Sequence, residues 1–134
     1  MGTGIHHVAL TVTDLDRALD FYTNVLGFRL GRWLRGPDGP TRIVFVDTPG
    51  GGRVELFHYT DGGTAAPPRT DNRTLGWNHL AFGVPDIDAA VAHLKAKGVR
   101  FTVEPGPKTP GGIRVAFFPD PDGNTLELFE ESGR

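Results

Sequence analysis

His7-Val8-Ala9-Leu10-Thr11-Val12-Thr13-Asp14-Leu15-Asp16-Arg17-Ala18 returns later in the chain as His79-Leu80-Ala81-Phe82-Gly83-Val84-Pro85-Asp86-Ile87-Asp88-Ala89-Ala90. The offset is 72 residues, and six of the twelve positions are identical. The same offset carries Arg42 onto Arg114, Phe45 onto Phe117, and Glu55-Leu56-Phe57 onto Glu127-Leu128-Phe129. A register that holds over so much sequence marks a tandem duplication, so each copy is read as one supersecondary unit.

Both copies spell the same order of elements. Residues 5–12 alternate and are rich in β-branched and apolar types, which predicts a strand. Asp14 is a candidate N-cap, followed by a 3.6-period stripe of Leu15, Ala18, Leu19, Tyr22, Val25 and Leu26 that stops at Gly27. The second copy predicts a strand over 77–84, a cap at Asp86, a stripe of Ile87, Ala90, Val91 and Leu94, and a stop at Gly98. Three short strands follow in each: 28–34, 42–47 and 53–59, then 99–104, 113–118 and 124–130. Turn sequences such as Pro37-Asp38-Gly39 and Asp122-Gly123-Asn124 separate them. The fold class is α+β, with two βαβββ modules at 5–59 and 77–130 and a linker over 60–76.

Composition narrows the function. The chain has 134 residues, 38% hydrophobic, with 19 glycines and 11 prolines, which fits a globular domain with many turns. Cysteine is absent, which excludes disulfide scaffolds, thiolate metal sites and thiol nucleophiles. A net charge of −2 argues against nucleic-acid binding. No apolar run approaches the ~18 residues of a membrane span, and the N-terminus has no signal-peptide pattern. The expectation is a cytoplasmic protein with a small-molecule partner.

Strand alternation then sorts the polar residues. Val8, Leu10 and Val12 form an apolar side for the helix, leaving His7, Ala9 and Thr11 opposite. Val54 and Leu56 likewise leave Glu55, Phe57 and Tyr59 opposite. The second copy repeats this with His79 and Ala81, then Glu127 and Phe129. Each copy thus offers one histidine and one carboxylate among aromatics, on the face turned from its helix. Two imidazoles and two carboxylates suit a borderline divalent metal with positions open for water or substrate. Zinc, nickel, cobalt, manganese and ferrous iron all satisfy this donor set. His6 and His58 fall on the other parity, which assigns them surface or supporting roles. Arg114, the repeat mate of Arg42, is a candidate clamp for an anionic substrate. Phe57, Tyr59 and Phe129 are candidates for lining a pocket.

The stretch His6-His7-Val8-Ala9-Leu10, with Asp14-Leu15-Asp16, Phe21-Tyr22 and Leu26-Gly27-Phe28, resembles the opening of the vicinal oxygen chelate superfamily. That superfamily includes glyoxalase I, extradiol dioxygenases, methylmalonyl-CoA epimerase and the fosfomycin- and bleomycin-resistance proteins. The second copy adds His79-Leu80-Ala81-Phe82, Asp120-Pro121-Asp122-Gly123-Asn124 and Glu127-Leu128. The resemblance implies paired modules whose sheets form a cup around a metal, held by His7, Glu55, His79 and Glu127. Glu55 occupies the place of the fourth ligand, the glutamate of glyoxalase I, where the epimerases carry glutamine. A metal-dependent lyase or isomerase is therefore the implied activity, working through an enediolate, with Glu127 or Glu55 as the base. A ferrous dioxygenase with a two-histidine, one-carboxylate site and a non-catalytic binding or resistance protein are the alternatives. Bacterial glyoxalase I enzymes hold glutathione with an arginine and an asparagine where this chain has Thr11 and Tyr59. The implied substrate is thus a small molecule with adjacent oxygens, and not specifically a glutathione hemithioacetal; Thr11, Phe57, Tyr59, Phe129 and Arg114 are its expected contacts. The resemblance also implies a homodimer in which each site draws on both chains.

Overall fold

The computed structural model describes residues 2–67 and 71–132. Part of the expected linker, residues 68–70, lies outside the described residues. The chain divides into two compact units, Met1–Ala66 and Pro67–Arg134. The fold class is α+β, with one mixed sheet in each unit.

In the first unit the order is β1 (Val8–Thr11), α1 (Leu15–Asp20), β2 (Arg29–Arg35), β3 (Thr41–Asp47) and β4 (Arg53–Tyr59). The sheet runs β1-β4-β3-β2; β1 is parallel to β4 and the other pairs are antiparallel. The second unit holds β5 (Leu80–Gly83), α2 (Ile87–Ala96), β6 (Ile113–Pro119) and β7 (Thr125–Glu131). Its sheet runs β5-β7-β6, with β5 parallel to β7.

Both helices start where their caps dictate. Asp14 Oδ1 accepts from Arg17 N and Asp86 Oδ1 from Ala89 N, each at 3.0 Å, so one orphan N–H per helix is satisfied. Both stop at a glycine with positive φ, Gly27 at 77° and Gly98 at 89°, a conformation other residues adopt only with strain. Between cap and stop the two diverge. After Asp20 the first helix loosens into a π turn over Phe21–Val25, closed by Leu26 N donating to Phe21 O at 2.9 Å. Thr23 Oγ1 donates to the Leu19 carbonyl at 2.6 Å, a side-chain bond that competes with the α ladder for that acceptor, while Asn24 Nδ2 donates to Asp20 Oδ1 at 2.7 Å. No such pair occurs in the ten residues of α2.

Helix stripes and sheet faces meet in two cores. Leu15, Ala18 and Tyr22 are buried in the first unit, as are Val44, Val46, Val54 and Leu56. In the second unit Ile87, Val91 and Leu94 are buried, with Ala116, Phe118, Leu126 and Leu128. Each Val, Leu, Ile or Phe side chain among them contributes about 1.5–3 kcal/mol by leaving water.

The structure corrects three expectations. Residues 99–104 form no strand: Val103 makes a single bridge to Phe117. The chain then runs into Pro105-Gly106-Pro107, and prolines have no N–H to extend a ladder. The first strand begins at Val8 rather than at residue 5, because Val8 pairs with Val54 and β4 starts one residue earlier, at Arg53. Residues 5 and 6 therefore run past the start of the strand that would receive their hydrogen bonds. The fifth strand likewise begins at Leu80, opposite Leu126, and not at residue 77.

One tertiary cap ties sheet to helix in the second unit. Glu130, 7% exposed, accepts from Ile87 N at 2.8 Å, capping the start of α2 from β7. Glu130→Ala leaves that N–H unsatisfied and should cost about 1–3 kcal/mol, read as a lower denaturation midpoint. Glu130→Gln keeps an acceptor and should recover most of the loss. An alanine variant as stable as wild type would refute the assignment.

Candidate functional site

Glu55 sits at the centre of β4, between Ala9 on β1 and Phe45 on β3. Glu127 has the same neighbours on β7: Ala81 on β5 and Phe117 on β6. The two alanines add only a methyl group beside each carboxylate, and the phenylalanines form a wall. Both glutamates are 6% exposed, burial that a carboxylate tolerates only with a partner. In each unit the partner is the histidine just before the parallel strand. His7 Nε2 lies 3.2 Å from Glu55 Oε2, and His79 Nε2 lies 2.6 Å from Glu127 Oε2. The His7 ring packs on Phe45 with centroids 5.5 Å apart, and His79 on Phe117 at 5.2 Å. Duplication has thus produced the same three-part arrangement twice.

Among the described residues no group of three or more His, Asp or Glu side chains is placed to hold a metal ion by itself. The structure brings the four expected ligands together as two pairs. The donor chemistry fits a divalent ion: each unit supplies an imidazole nitrogen and a carboxylate oxygen, both turned to the same point. Ligand atoms about 2.0–2.2 Å from one ion, at tetrahedral or octahedral angles, lie roughly 2.9–3.5 Å from each other. The His7–Glu55 spacing of 3.2 Å already falls in that range. The His79–Glu127 pair, at 2.6 Å, has to open slightly to hold a metal in place of a shared hydrogen.

Of the expected substrate contacts, four lie on the strand positions that share a face with the glutamates. Thr11 is exposed and pairs with Phe57, which is half-buried. Phe129 is half-buried beside Gly83. Tyr59, 37% exposed, lines a cavity of about 610 Å³ with Arg35, Thr41 and Ile43 in the first unit. That cavity lies at the far end of β4 from its hairpin with β3, beside the turn between β2 and β3, four residues along the strand from Glu55.

Arg114 is placed elsewhere. It stands opposite Glu130 on the helix side of its sheet, where its guanidinium donates to Asp88 at 2.6 and 2.9 Å and to the Gly106 carbonyl at 2.9 Å. The hydrogen-bonded guanidinium holds the Asp88 carboxyl below its ordinary pKa, and Asp88 raises that of Arg114 in return. The residue clamps β6 to the first turn of α2, which corrects the expectation that it meets substrate. Arg42, its repeat mate, bonds His58 Nδ1 through Nε at 3.3 Å.

Composition and alternation do not single out Glu130 or Asn78. For Asn78 a signal exists, since the offset of 72 maps it onto His6, beside His7.

Residues 4–128 match the family model described as the Glyoxalase/Bleomycin resistance protein/Dioxygenase superfamily. The chain belongs to that superfamily. Its two mixed sheets with a helix in each unit agree with the βαβββ vicinal oxygen chelate fold of the superfamily. A probable lactoylglutathione lyase of Synechocystis is 35% identical, covering 96% of this chain and 95% of that protein. A 2-epi-5-epi-valiolone epimerase of Actinomyces is 38% identical over 92% of this chain and 77% of its own length. The crystal structure of a glyoxalase family protein from Enterococcus faecalis superposes with a TM-score of 0.77 at 31% identity, covering 95% and 97% of the two chains. Superfamily relatives named as lyases and as an epimerase support an enzyme of the lyase or isomerase type. No helix among the described residues is long and apolar enough to cross a membrane.

Proposed function

We propose that the protein is a divalent-metal-dependent isomerase or lyase for a small molecule carrying adjacent oxygens, with His7, Glu55, His79 and Glu127 as the metal-holding residues. The observation that carries this reading is the pairing of His7 with Glu55 and of His79 with Glu127 at repeat-equivalent positions. Relatives named lactoylglutathione lyase and epimerase support the reaction type.

A divalent ion held by these residues supplies Lewis-acid stabilisation of the negative charge that develops on two adjacent oxygens. The protein's own work is to move one proton. Glu127 takes the hydrogen from the carbon beside the carbonyl onto its carboxylate and returns it to the neighbouring carbon. The electron pair left by the C–H bond shifts within the substrate and the hydroxyl hydrogen passes from one oxygen to the other, so no external oxidant or reductant is required. Glu55, its repeat equivalent, is the second carboxylate able to perform the same transfer. Phe57 and Phe129 keep water from the reacting carbons, and Thr11 and Tyr59 supply hydroxyl contacts to the substrate's polar end. Thr11 and Tyr59 carry no charge to match a peptide thiol's carboxylates, which favours an α-hydroxycarbonyl over a glutathione adduct.

Two units per chain, each with one His–Glu pair, are proposed to combine across a homodimer, the first unit of one chain with the second unit of its partner.

The test is exchange of carbon-bound hydrogen in heavy water. Metal-loaded protein with a panel of α-hydroxycarbonyls, with and without thiols, should label the carbon next to the carbonyl and yield the isomer. Oxygen consumption without exchange would overturn the reading in favour of a dioxygenase. Tight binding without any turnover would overturn it in favour of a sequestering protein.

A further inference from the structure

We propose that Asn78 and His6 are positioning residues, each holding the ring of the histidine that follows it so that Nε2 faces the neighbouring glutamate. The inference rests on the metal-dependent reading above and extends it by two residues.

The geometry occurs twice. Asn78 Oδ1 lies 2.8 Å from His79 Nδ1, and His6 Nδ1 lies 2.8 Å from His7 Nδ1. Residues 6 and 78 are repeat mates at the offset of 72, so the two contacts occupy equivalent places. Consecutive residues on a strand point to opposite faces, and such a contact could not form within one. It forms here because both pairs precede their strands, which begin at Val8 and Leu80. The early stop of the β1–β4 and β5–β7 ladders is what frees residues 6–7 and 78–79 to turn towards each other.

The second copy defines the hydrogen's place. Asn78 Nδ2 donates to the Asn72 carbonyl at 3.3 Å, which turns Oδ1 towards His79. An amide oxygen only accepts, so His79 Nδ1 carries the hydrogen. The hydrogen that Nε2 shares with Glu127 Oε2 at 2.6 Å is then the one a metal ion displaces, leaving the Nε2 lone pair to bind it. Metals bind imidazole through the nitrogen without hydrogen, and the group on the other nitrogen decides which that is. At His7 the same outcome has His6 accept on Nδ1 and carry its own hydrogen on Nε2. Phe45 and Phe117 pack on the two rings and hinder their rotation.

The experiment uses the full chain without metal at about pH 8.5, above the ordinary imidazole range. Long-range proton–nitrogen NMR reads which nitrogen of His79 bears hydrogen, and zinc affinity is measured separately by competition with a chelator. Wild type should show hydrogen on Nδ1. Asn78→Ala should lose that preference and bind zinc about 10–100-fold more weakly. Asn78→Asp, which keeps an acceptor in place, should retain both the tautomer and the affinity. His6→Asn, copying the second unit into the first, should keep zinc affinity where His6→Ala lowers it. An alanine variant at 78 with unchanged tautomer overturns the inference, as does one with changed tautomer and undiminished affinity. So does an aspartate variant that binds zinc tenfold more weakly than wild type. Wild-type protein that binds no zinc would remove the metal reading, while the tautomer of the metal-free chain would still decide on Asn78.

Discussion

Glu127→Gln should lower turnover about 100- to 10,000-fold, the usual worth of a positioned acid–base group. The substitution keeps the shape of the side chain and removes its ability to take a proton. Metal affinity should fall as well, because a carboxylate oxygen is exchanged for an amide. Stability should scarcely change: the group is 6% exposed, and replacing a buried carboxylate with a neutral isostere relieves desolvation. Substituting the partner histidine has the opposite profile. His79→Ala strips the imidazole that partners a buried carboxylate, and should cost about 1–3 kcal/mol of folding stability along with the metal. The double variant His7→Ala with Glu127→Ala breaks one pair in each unit and should hold no metal after dialysis, by elemental analysis. Full metal occupancy in that double variant, with a native melting curve, would refute the ligand set.

The repeat makes much of this arrangement legible in the amino-acid sequence. Two residues at one offset, such as Glu55 and Glu127, must occupy equivalent places if the copies fold alike. Alternation then assigns them a face. The caps Asp14 and Asp86 and the stops Gly27 and Gly98 are equally readable, since each satisfies a local backbone requirement. What is not readable depends on register between strands. Whether Arg114 shares a face with Glu127 is decided by the β6–β7 pairing, which sets Phe117 opposite Glu127 and Arg114 opposite Glu130. That pairing follows from the geometry of the 120–124 turn, where Asp120 accepts from the backbone of Asp122 and Asn124 at 2.9 and 2.8 Å. A one-residue change there would turn Arg114 to the other face. Over 99–104 the pairing is limited to the Val103–Phe117 bridge, which Pro105 and Pro107 keep from extending further along the chain. The π turn after α1 coincides with Thr23, whose hydroxyl competes for the Leu19 carbonyl, and the apolar stripe across it hides it.

Mixing two inactive variants should restore about one quarter of wild-type activity if the proposed dimer is correct. One variant carries His7→Ala and Glu55→Gln, the other His79→Ala and Glu127→Gln. In the exchanged dimer, one composite site receives both damaged units and is dead. The other receives the intact first unit of one chain and the intact second unit of its partner. Random exchange makes half of the dimers mixed, each with one working site of two, whereas a site built within one chain gives no recovery in any mixture. β1 and β5 are each the edge of their own sheet, with one row of backbone groups facing away from the neighbouring strand. Edge strands of this kind are managed by pairing or covering, and a second copy is a symmetric means of doing so. The measurement is activity after co-refolding the variants, alongside the mass of the assembly in solution. Zero recovery, with either a monomeric or a dimeric mass, would place the four ligands within one chain and overturn the arrangement.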